Sequence, residues 1–302
     1  MMPAANRGSA IRAVSALAIA CAGASTGAYS ALAGNGANFV TYDHHTEEKS
    51  TTEIKIYNDI GRTGDSGTLY NAQLYELEHA FSDQMVVALY LETQKERGEA
   101  AEFDSFRIEG RYRLFDYGTP FNPVVYAEYV HKREGALYLR EVVGRASEES
   151  GEGGEHDEEN ERENEIETKL ILGHDLGDRL RLGFNWISEV NLKSGDWAFG
   201  YAGGLTYTLY ENALGEKEGD GKIHRRGGWT VKEVSIGAEL FGGAGDSVEG
   251  LTLSGHDTAQ YTGVSLKTEF KNGAQVMLGG SFGLTDPAQD AIFRAMLGWE
   301  FE

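Results

Sequence analysis

Charged side chains alternate with apolar ones along several successive stretches of this chain, and they could act together on a charged solute. The pattern is clearest where Arg107, Glu109, Arg111 and Arg113 fall on one side and apolar residues on the other. Guanidinium groups that face carboxylates across a narrow passage set a transverse field, which orients and selects polar or ionic solutes. The eight candidates for such a constriction are Glu76, Glu78, Glu92, Arg107, Glu109, Arg111, Arg113 and Glu128.

The stretches that carry these charges have the period of two that is typical of β-strands, whereas a helix would scatter the charges around its circumference. About twelve stretches have roughly the nine to eleven residues that a tilted strand needs to cross a bilayer. We therefore predict an all-β fold, a transmembrane antiparallel up-and-down β-barrel of about 12 strands. The predicted strands are Thr51–Asn58, Leu69–His79, Met85–Gln94, Phe106–Leu114, Pro123–Lys132, Ile166–His174, Leu180–Val190, Trp197–Tyr210, Trp229–Phe241, Ala259–Phe270, Gln275–Leu284 and Ala291–Glu302.

In such a barrel the charged faces must point inward, because a charge on the lipid face near the bilayer midplane costs about 2–4 kcal/mol. Two interpretations of the inward charges stay open. They could line a polar passage, or they could pair with one another and fill the lumen, as side chains do in narrow barrels. A barrel of about twelve strands lies between the filled eight-stranded forms and the open porins.

The composition agrees with one exported barrel domain and excludes several other classes. The net charge of −21 would be repelled by phosphates, which argues against nucleic acid as a partner. Forty glycines and only four prolines suit many strands joined by tight turns. After the N-terminal segment, no run approaches the 18 or so apolar residues of a spanning helix.

Residues 1–33 have the features of a secretory signal peptide. Arg7 and Arg12 give a positive start, Ala13 to Ala22 is an apolar run, and Ala31-Leu32-Ala33 is an A-x-A cleavage site. Residues 34–302 would then form the barrel. The only cysteine, Cys21, lies in the signal, so the mature chain would have no disulfide bond.

The C-terminal stretch Ala291–Glu302 alternates between a wholly apolar face and a face that carries its charges. Its apolar face ends in Trp299 and Phe301, which we predict to lie in the aromatic girdle at a membrane–water interface. The stretch resembles the closing strand of outer-membrane β-barrels of Gram-negative bacteria. The resemblance implies an integral protein of the bacterial outer membrane, with outer-membrane lipid, lipopolysaccharide and the barrel-assembly machinery as partners.

Three further strings resemble an uncharacterised family of exported barrel proteins. They are Phe39-Val-Thr-Tyr-Asp-His-His45, Glu165-Ile-Glu-Thr-Lys-Leu-Ile-Leu172 and Trp197-Ala-Phe-Gly-Tyr-Ala202. The resemblance supports the fold and the location, and it adds no functional residue.

The connections between strands predict which end of the barrel faces the cell surface. We predict that the long loops lie on the extracellular side: Gly61–Gly67, Lys95–Glu102 and the insertion at about 133–165. Tight turns such as Lys271–Gly273 would then lie on the periplasmic side. The insertion is strongly acidic and should be solvated or disordered, with divalent cations such as Ca²⁺ as a further partner. The long connection Glu211–Gly228 breaks this asymmetry, so either it folds inward or one strand is miscounted.

Catalytic or metal chemistry finds little support in the sequence. His44 and His45 are adjacent, so in a strand they would point to opposite faces and could not both bind one metal ion. Gly279-Gly-Ser-Phe-Gly283 matches the G-x-S-x-G pattern of hydrolases but lies in an alternating strand, not in a strand–turn–helix elbow. We predict no catalytic residue, no metal site, no cofactor and no enzymatic activity.

Three functions remain, in order of preference. The first is a passive channel or binding pore for small polar or ionic solutes. The second is a structural or surface-interaction barrel with a closed lumen and an acidic external loop. The third is a lipid hydrolase in the barrel wall, for which His256 and Ser281 are the residues to test.

Overall fold

The structure is a computed structural model that describes residues 36–62, 67–133, 142–145, 162–212 and 229–301. The predicted signal peptide and most of the acidic insertion lie outside the described residues. Among the residues described, no helix is long and apolar enough to cross a membrane.

Within these described residues, thirteen β-strands form a single antiparallel sheet, and twelve of them are long. The remaining one, β10, has only two residues and extends a hairpin of β9. The strands are β1 Thr52–Arg62, β2 Leu69–Ser82, β3 Met85–Glu96, β4 Glu102–Arg113, β5 Asn122–Arg133, β6 Arg162–Leu176, β7 Leu180–Asn191, β8 Trp197–Glu211, β9 Val231–Asp246, β10 Gly250–Leu251, β11 Gln260–Phe270, β12 Ala274–Gly283 and β13 Ala291–Phe301.

The sheet closes on itself. Apart from β10, each strand pairs with the next along the chain, and β13 pairs with β1 from Thr52↔Phe301 to Ile60↔Phe293. Closure satisfies the backbone hydrogen bonds that an edge strand would leave open, which a bilayer core requires. The prediction of an antiparallel up-and-down barrel of about 12 strands is confirmed.

The alternation of side chains separates an apolar exterior from a polar interior. On β4, Ile108 and Tyr112 are each 46% exposed, whereas Arg107 and Arg111 are almost fully buried. The same arrangement holds along β13, where Phe293 and Leu297 point outward. A continuous outer band of leucine, isoleucine, valine and aromatic side chains is unstable in water and matches the hydrocarbon core of a bilayer.

Short turns gather at one end of the barrel. We call this the turn end: β1 begins and β13 ends there, and β2–β3, β6–β7 and β11–β12 are joined there by two- or three-residue turns. Gly273 of the last turn has φ 91°, as its Asn-Gly sequence predicts. We call the opposite end the loop end. The long connection between β8 and β9 does lie at the turn end, so the strand count was right. Its residues 213–228 are outside the described part.

Candidate functional site

The lumen contains a segment that the sequence did not reveal as part of it. Residues 36–47, which precede β1, are all buried, and they run through the inside of the barrel. We call them the plug. The alternation that identified the strands carries no information about such a segment, because the plug forms no strand.

One carboxylate of the wall holds the backbone of the plug. Glu239 on β9 accepts hydrogen bonds from the amide groups of Phe39, Val40 (3.1 Å) and Thr41 (3.0 Å), and from the Thr41 hydroxyl (2.9 Å). Consecutive N–H groups that converge on one anion form a strong, charge-assisted anchor.

Two further side chains of the wall fix the plug from other sides. Asn185 on β7 accepts from the Tyr42 amide group and donates to the Tyr42 carbonyl oxygen, both at 2.8 Å, and so replaces the partner that a strand would supply. Arg294 on β13 donates to the Phe39 carbonyl oxygen (2.9 Å) and forms a bidentate pair with Asp59 (2.8 Å for both bonds).

Inward-facing glycines of the wall make room for the plug. A Cβ added to Gly237 would lie 2.0 Å from the Ala37 carbonyl oxygen, and one added to Gly183 would lie 2.5 Å from the Tyr42 carbonyl oxygen. Gly173 and Gly279 would meet His44 and Phe39 in the same way, at 2.3 and 2.5 Å. The wall is therefore shaped to the path of the plug.

The glycine contacts lead to a testable expectation. Gly237→Ala should displace the plug near Ala37, because the new Cβ would meet the backbone of Ala37, which cannot rotate away as a flexible side chain can. We expect a loss of about 1–3 kcal/mol in unfolding free energy, measured by denaturant titration in detergent. Gly110→Ala is the matched control, since a Cβ there meets nothing within 4 Å. Equal stability of the two variants would contradict a snugly held plug.

All eight residues predicted for a constriction have buried side chains on the inner face of β2–β5. Arg107 pairs with Glu92 and lies 3.6 Å from Glu128, while Arg111 pairs with Glu78 and, at 2.7 Å, with Glu109. The structure thus brings seven of them into ion pairs, as the filled-lumen interpretation predicts. Their role in selecting a solute stays a prediction. The seven are Glu76, Glu78, Glu92, Arg107, Glu109, Arg111 and Glu128.

Arg113 belongs to a different group near the turn end. Its guanidinium donates to the carbonyl oxygens of Phe115 (2.6 Å) and Asp83 (2.7 Å) and lies 3.7 Å from the ring centre of Tyr117. Tyr117 in turn donates to the carbonyl oxygen of Thr46 in the plug (3.0 Å). Arg113 therefore supports the place where the plug leaves the lumen.

The inner network includes further charges that the same alternation could have identified. Lys55 on β1 lies between Glu53 and Glu76, at 2.5 and 3.3 Å, and Tyr57 donates to Glu76 at 2.8 Å. Other inward charges are buried on the strands outside β2–β5, which were not considered as candidates. They are Asp59, Glu165, Glu167, Lys169, Glu233, Glu239, Lys267, Glu269 and Arg294.

The two adjacent histidines correct one expectation. His44 and His45 do not point to opposite faces: their ring centres are 4.3 Å apart, and the Nε2 atoms of both approach Asp175 Oδ2, at 3.2 and 3.6 Å. The prediction failed because it assumed a strand, and the plug is not one. His45 Nδ1 adds a hydrogen bond to Asp43 Oδ1, which accepts it at 3.0 Å.

Arg181 sets the charge state of this cluster. Burial alone would raise the pKa of Asp43, but Arg181, 3.3 Å away, and His45 outweigh it and hold that pKa below its usual range. Burial, and then the positive charge of Arg181, lowers the pKa of His45.

Near the start of β1 the plug contributes a third group of charges. Glu47 lies close to Glu53 and Glu78, with one carboxylate oxygen of each within 4.8 Å of the others. Burial, reinforced by the negative charges of Glu53 and Glu78, raises the pKa of Glu47 well above its usual value. Lys55 pairs with Glu53 and Arg111 pairs with Glu78, so two of the three carboxylates already have a cationic partner.

The residues considered for hydrolysis are not arranged as a catalytic site. Ser281 is buried inside β12, where it pairs with β11 and β13, and Gly279-Gly-Ser-Phe-Gly283 forms no elbow. His256 is exposed in the connection that follows β10, at the loop end.

The two girdle residues lie on the outer surface at the turn end. Trp299 is 38% and Phe301 46% exposed, and the Trp299 ring packs edge-on against Trp229, with 6.2 Å between ring centres. Trp229 also contacts Phe270 at 5.5 Å. Their place is the one that an interfacial girdle needs, and that role stays a prediction.

Comparisons with known proteins find resemblance of fold only. No family model and no curated protein matches the sequence. An outer-membrane channel from Pseudomonas putida F1 is similar at 10% identity and a TM-score of 0.49, covering 86% of this chain and 98% of its own. The KdgM porin is similar at 9% identity and a TM-score of 0.44, covering 83% of this chain and 99% of its own. The translocator domain of the autotransporter NalP from Neisseria meningitidis is similar at 14% identity and a TM-score of 0.44, covering 85% of this chain and 90% of its own.

The class of the protein follows from its own architecture. A closed antiparallel barrel with an apolar outer band and a charged interior is a membrane-spanning β-barrel of the bacterial outer-membrane type. The chain is an integral protein of this class, in contact with membrane lipid.

Proposed function

We propose that the barrel is a plugged channel for small polar or ionic solutes, closed by residues 36–47 and opened when they leave the lumen. The observation that carries the proposal is the way the plug is held. Its bonds to Glu239, Asn185 and Arg294 are all non-covalent, and each wall group is polar, so the space that it leaves would be lined by groups that water can solvate.

The division of the lumen supports a passage beside a fixed charged wall. The ion pairs of Arg107 and Arg111 lie on β2–β5, whereas Asn185, Glu239 and Arg294, which hold residues 39–42 of the plug, lie on β7, β9 and β13. The end of the plug at Thr46, by contrast, is held from the first side, by Arg113 and Tyr117. Release of the plug would break the contacts on the second side and leave most pairs on the first side intact. The paired arginines and glutamates would then supply the transverse field that favours polar solutes.

The closed structural barrel is the second candidate, and the buried plug favours it as well. In that case the plug would be a permanent filling, and contacts with other molecules would be made by the external loops. Barrel-wall hydrolysis gains no support from the positions of His256 and Ser281. We further propose lipopolysaccharide and the barrel-assembly machinery as partners, and divalent cations at the acidic insertion.

Deletion of residues 34–47 separates the two candidates. We expect the deletion variant to form steady pores in planar bilayers, while the full barrel conducts little, because the plug fills the space that the solute needs. A variant in which these residues are replaced by glycine and serine, at unchanged length, is the control for tether length. Silence of both variants, with each shown to be folded by heat-modifiable migration in gels, would support the closed barrel and contradict the channel.

A further inference from the structure

The cluster at the turn end of the lumen has the geometry of a metal centre. The Nε2 atoms of His44 and His45 converge on Asp175 Oδ2, at 3.2 and 3.6 Å. In a tetrahedral zinc site with bonds of about 2.0–2.1 Å, the ligand atoms are roughly 3.3 Å from one another. The two observed separations match two edges of such a tetrahedron.

The hydrogen bonding of the cluster is incomplete without a cation. Among the described residues, Asp175 Oδ2 has no hydrogen-bond partner that meets the usual distance and angle limits. Two imidazole nitrogens thus approach one carboxylate oxygen without making a well-formed hydrogen bond to it. A positive ion placed between Asp175 Oδ2 and the Nε2 atoms of His44 and His45 would bind all three atoms.

Asp43 and Arg181 form the outer layer that such centres have. Asp43 Oδ1 lies 3.0 Å from His45 Nδ1, an arrangement that directs the Nε2 lone pair of His45 toward Asp175. Arg181 lies near the other oxygen of each carboxylate, Asp43 Oδ2 at 3.3 Å and Asp175 Oδ1 at 3.6 Å. The carboxylates of Asp43 and Asp175 carry two negative charges and the Arg181 guanidinium one positive charge. A divalent cation would compensate the remaining negative charge.

We infer that His44, His45 and Asp175 bind one divalent metal ion of the zinc type, with Asp43 as the residue that orients His45. Two imidazoles and one carboxylate favour Zn²⁺ over Ca²⁺ or Mg²⁺, which prefer oxygen ligands only. Because the histidines belong to the plug and Asp175 to β6, the ion would join the plug to the wall. This inference holds whether or not the barrel conducts.

Zinc binding to the full mature barrel in detergent tests the inference. After treatment with EDTA, calorimetric titration with Zn²⁺ should give one strong site that is lost in His44→Gln/His45→Gln. Asp43→Asn should keep the site but weaken it about 10–100-fold, as loss of an orienting partner does. His156→Gln, which removes a histidine from the acidic insertion, should leave the strong site unchanged.

A spectroscopic measurement keeps the test decisive if the double variant does not fold. The wild-type barrel loaded with Co²⁺ should show the intense visible bands of four-coordinate cobalt with nitrogen and oxygen ligands. Absence of a strong site in the wild type, equal Zn²⁺ binding by the folded double variant, or only the weak bands of six-coordinate cobalt would each overturn the inference.

Discussion

Glu239→Ala is expected to release the plug and convert a silent barrel into a conducting one. The substitution removes the acceptor of four hydrogen bonds, three of them from consecutive backbone amide groups. Hydrogen bonds to a charged acceptor contribute about 1.5–3 kcal/mol each, and hydrogen bonds to water recover part of this free energy once the plug has left the lumen. A net loss of about 3–5 kcal/mol would raise the population with the plug outside the lumen by roughly 10²–10⁴-fold.

Two measurements follow the same event independently. Conductance in planar bilayers reports the open passage, and maleimide labelling of Ala37→Cys reports exposure of the plug, because Ala37 is fully buried in the lumen. The native chain has no cysteine outside the predicted signal peptide, so the label is specific. Both signals should rise together in Glu239→Ala.

Glu249→Ala is the matched control, since it removes a mostly exposed carboxylate at the loop end. Labelling and conductance should stay at the wild-type level in that variant. If Glu239→Ala exposes position 37 without conductance, the plug leaves a lumen that remains closed, and the channel is contradicted. If neither signal rises, Glu239 does not anchor the plug.

The walls of this barrel could be predicted from the sequence because each strand obeys a local rule. A residue such as Arg107 must point to the face opposite Ile108, and the cost of a charge in lipid then decides which face is inside. The structure confirms the architecture, and the side chains of all eight charged candidates are buried. Only the two-residue β10 and the exact strand ends were missed.

The contents of the lumen could not be predicted in the same way. Residues 36–47 are held by side chains that are distant in sequence, such as Asn185, Glu239 and Arg294. No periodicity records these contacts, and glycines that face the plug look like the glycines of any barrel. The error about His44 and His45 has the same origin, because the direction of their rings depends on the path of the plug and not on strand geometry.

Arg111→Met should strongly destabilise the barrel. The guanidinium of Arg111 pairs with Glu78 and Glu109, and all three side chains are almost completely buried. Methionine keeps an unbranched apolar stem, so the change removes the guanidinium and leaves two buried carboxylates without their shared partner. Loss of one member of a buried ion pair costs about 3–5 kcal/mol, and we expect that decrease in the free energy of unfolding from lipid vesicles in urea.

Arg97→Met is the control, because Arg97 is exposed in the loop after β3 and substitutions of this kind usually change stability by about 0.5 kcal/mol or less. Adding Glu78→Gln and Glu109→Gln to Arg111→Met should restore most of the lost stability, since the carboxylates that need compensation are then absent.

The stability lost in Arg111→Met also reports how polar the surroundings of these ion pairs are. A loss of about 1 kcal/mol or less for Arg111→Met, the value of a solvated surface pair, would mean that water reaches these pairs beside the plug. The plug would then not seal the passage, and a permanently open pore would replace the gated channel.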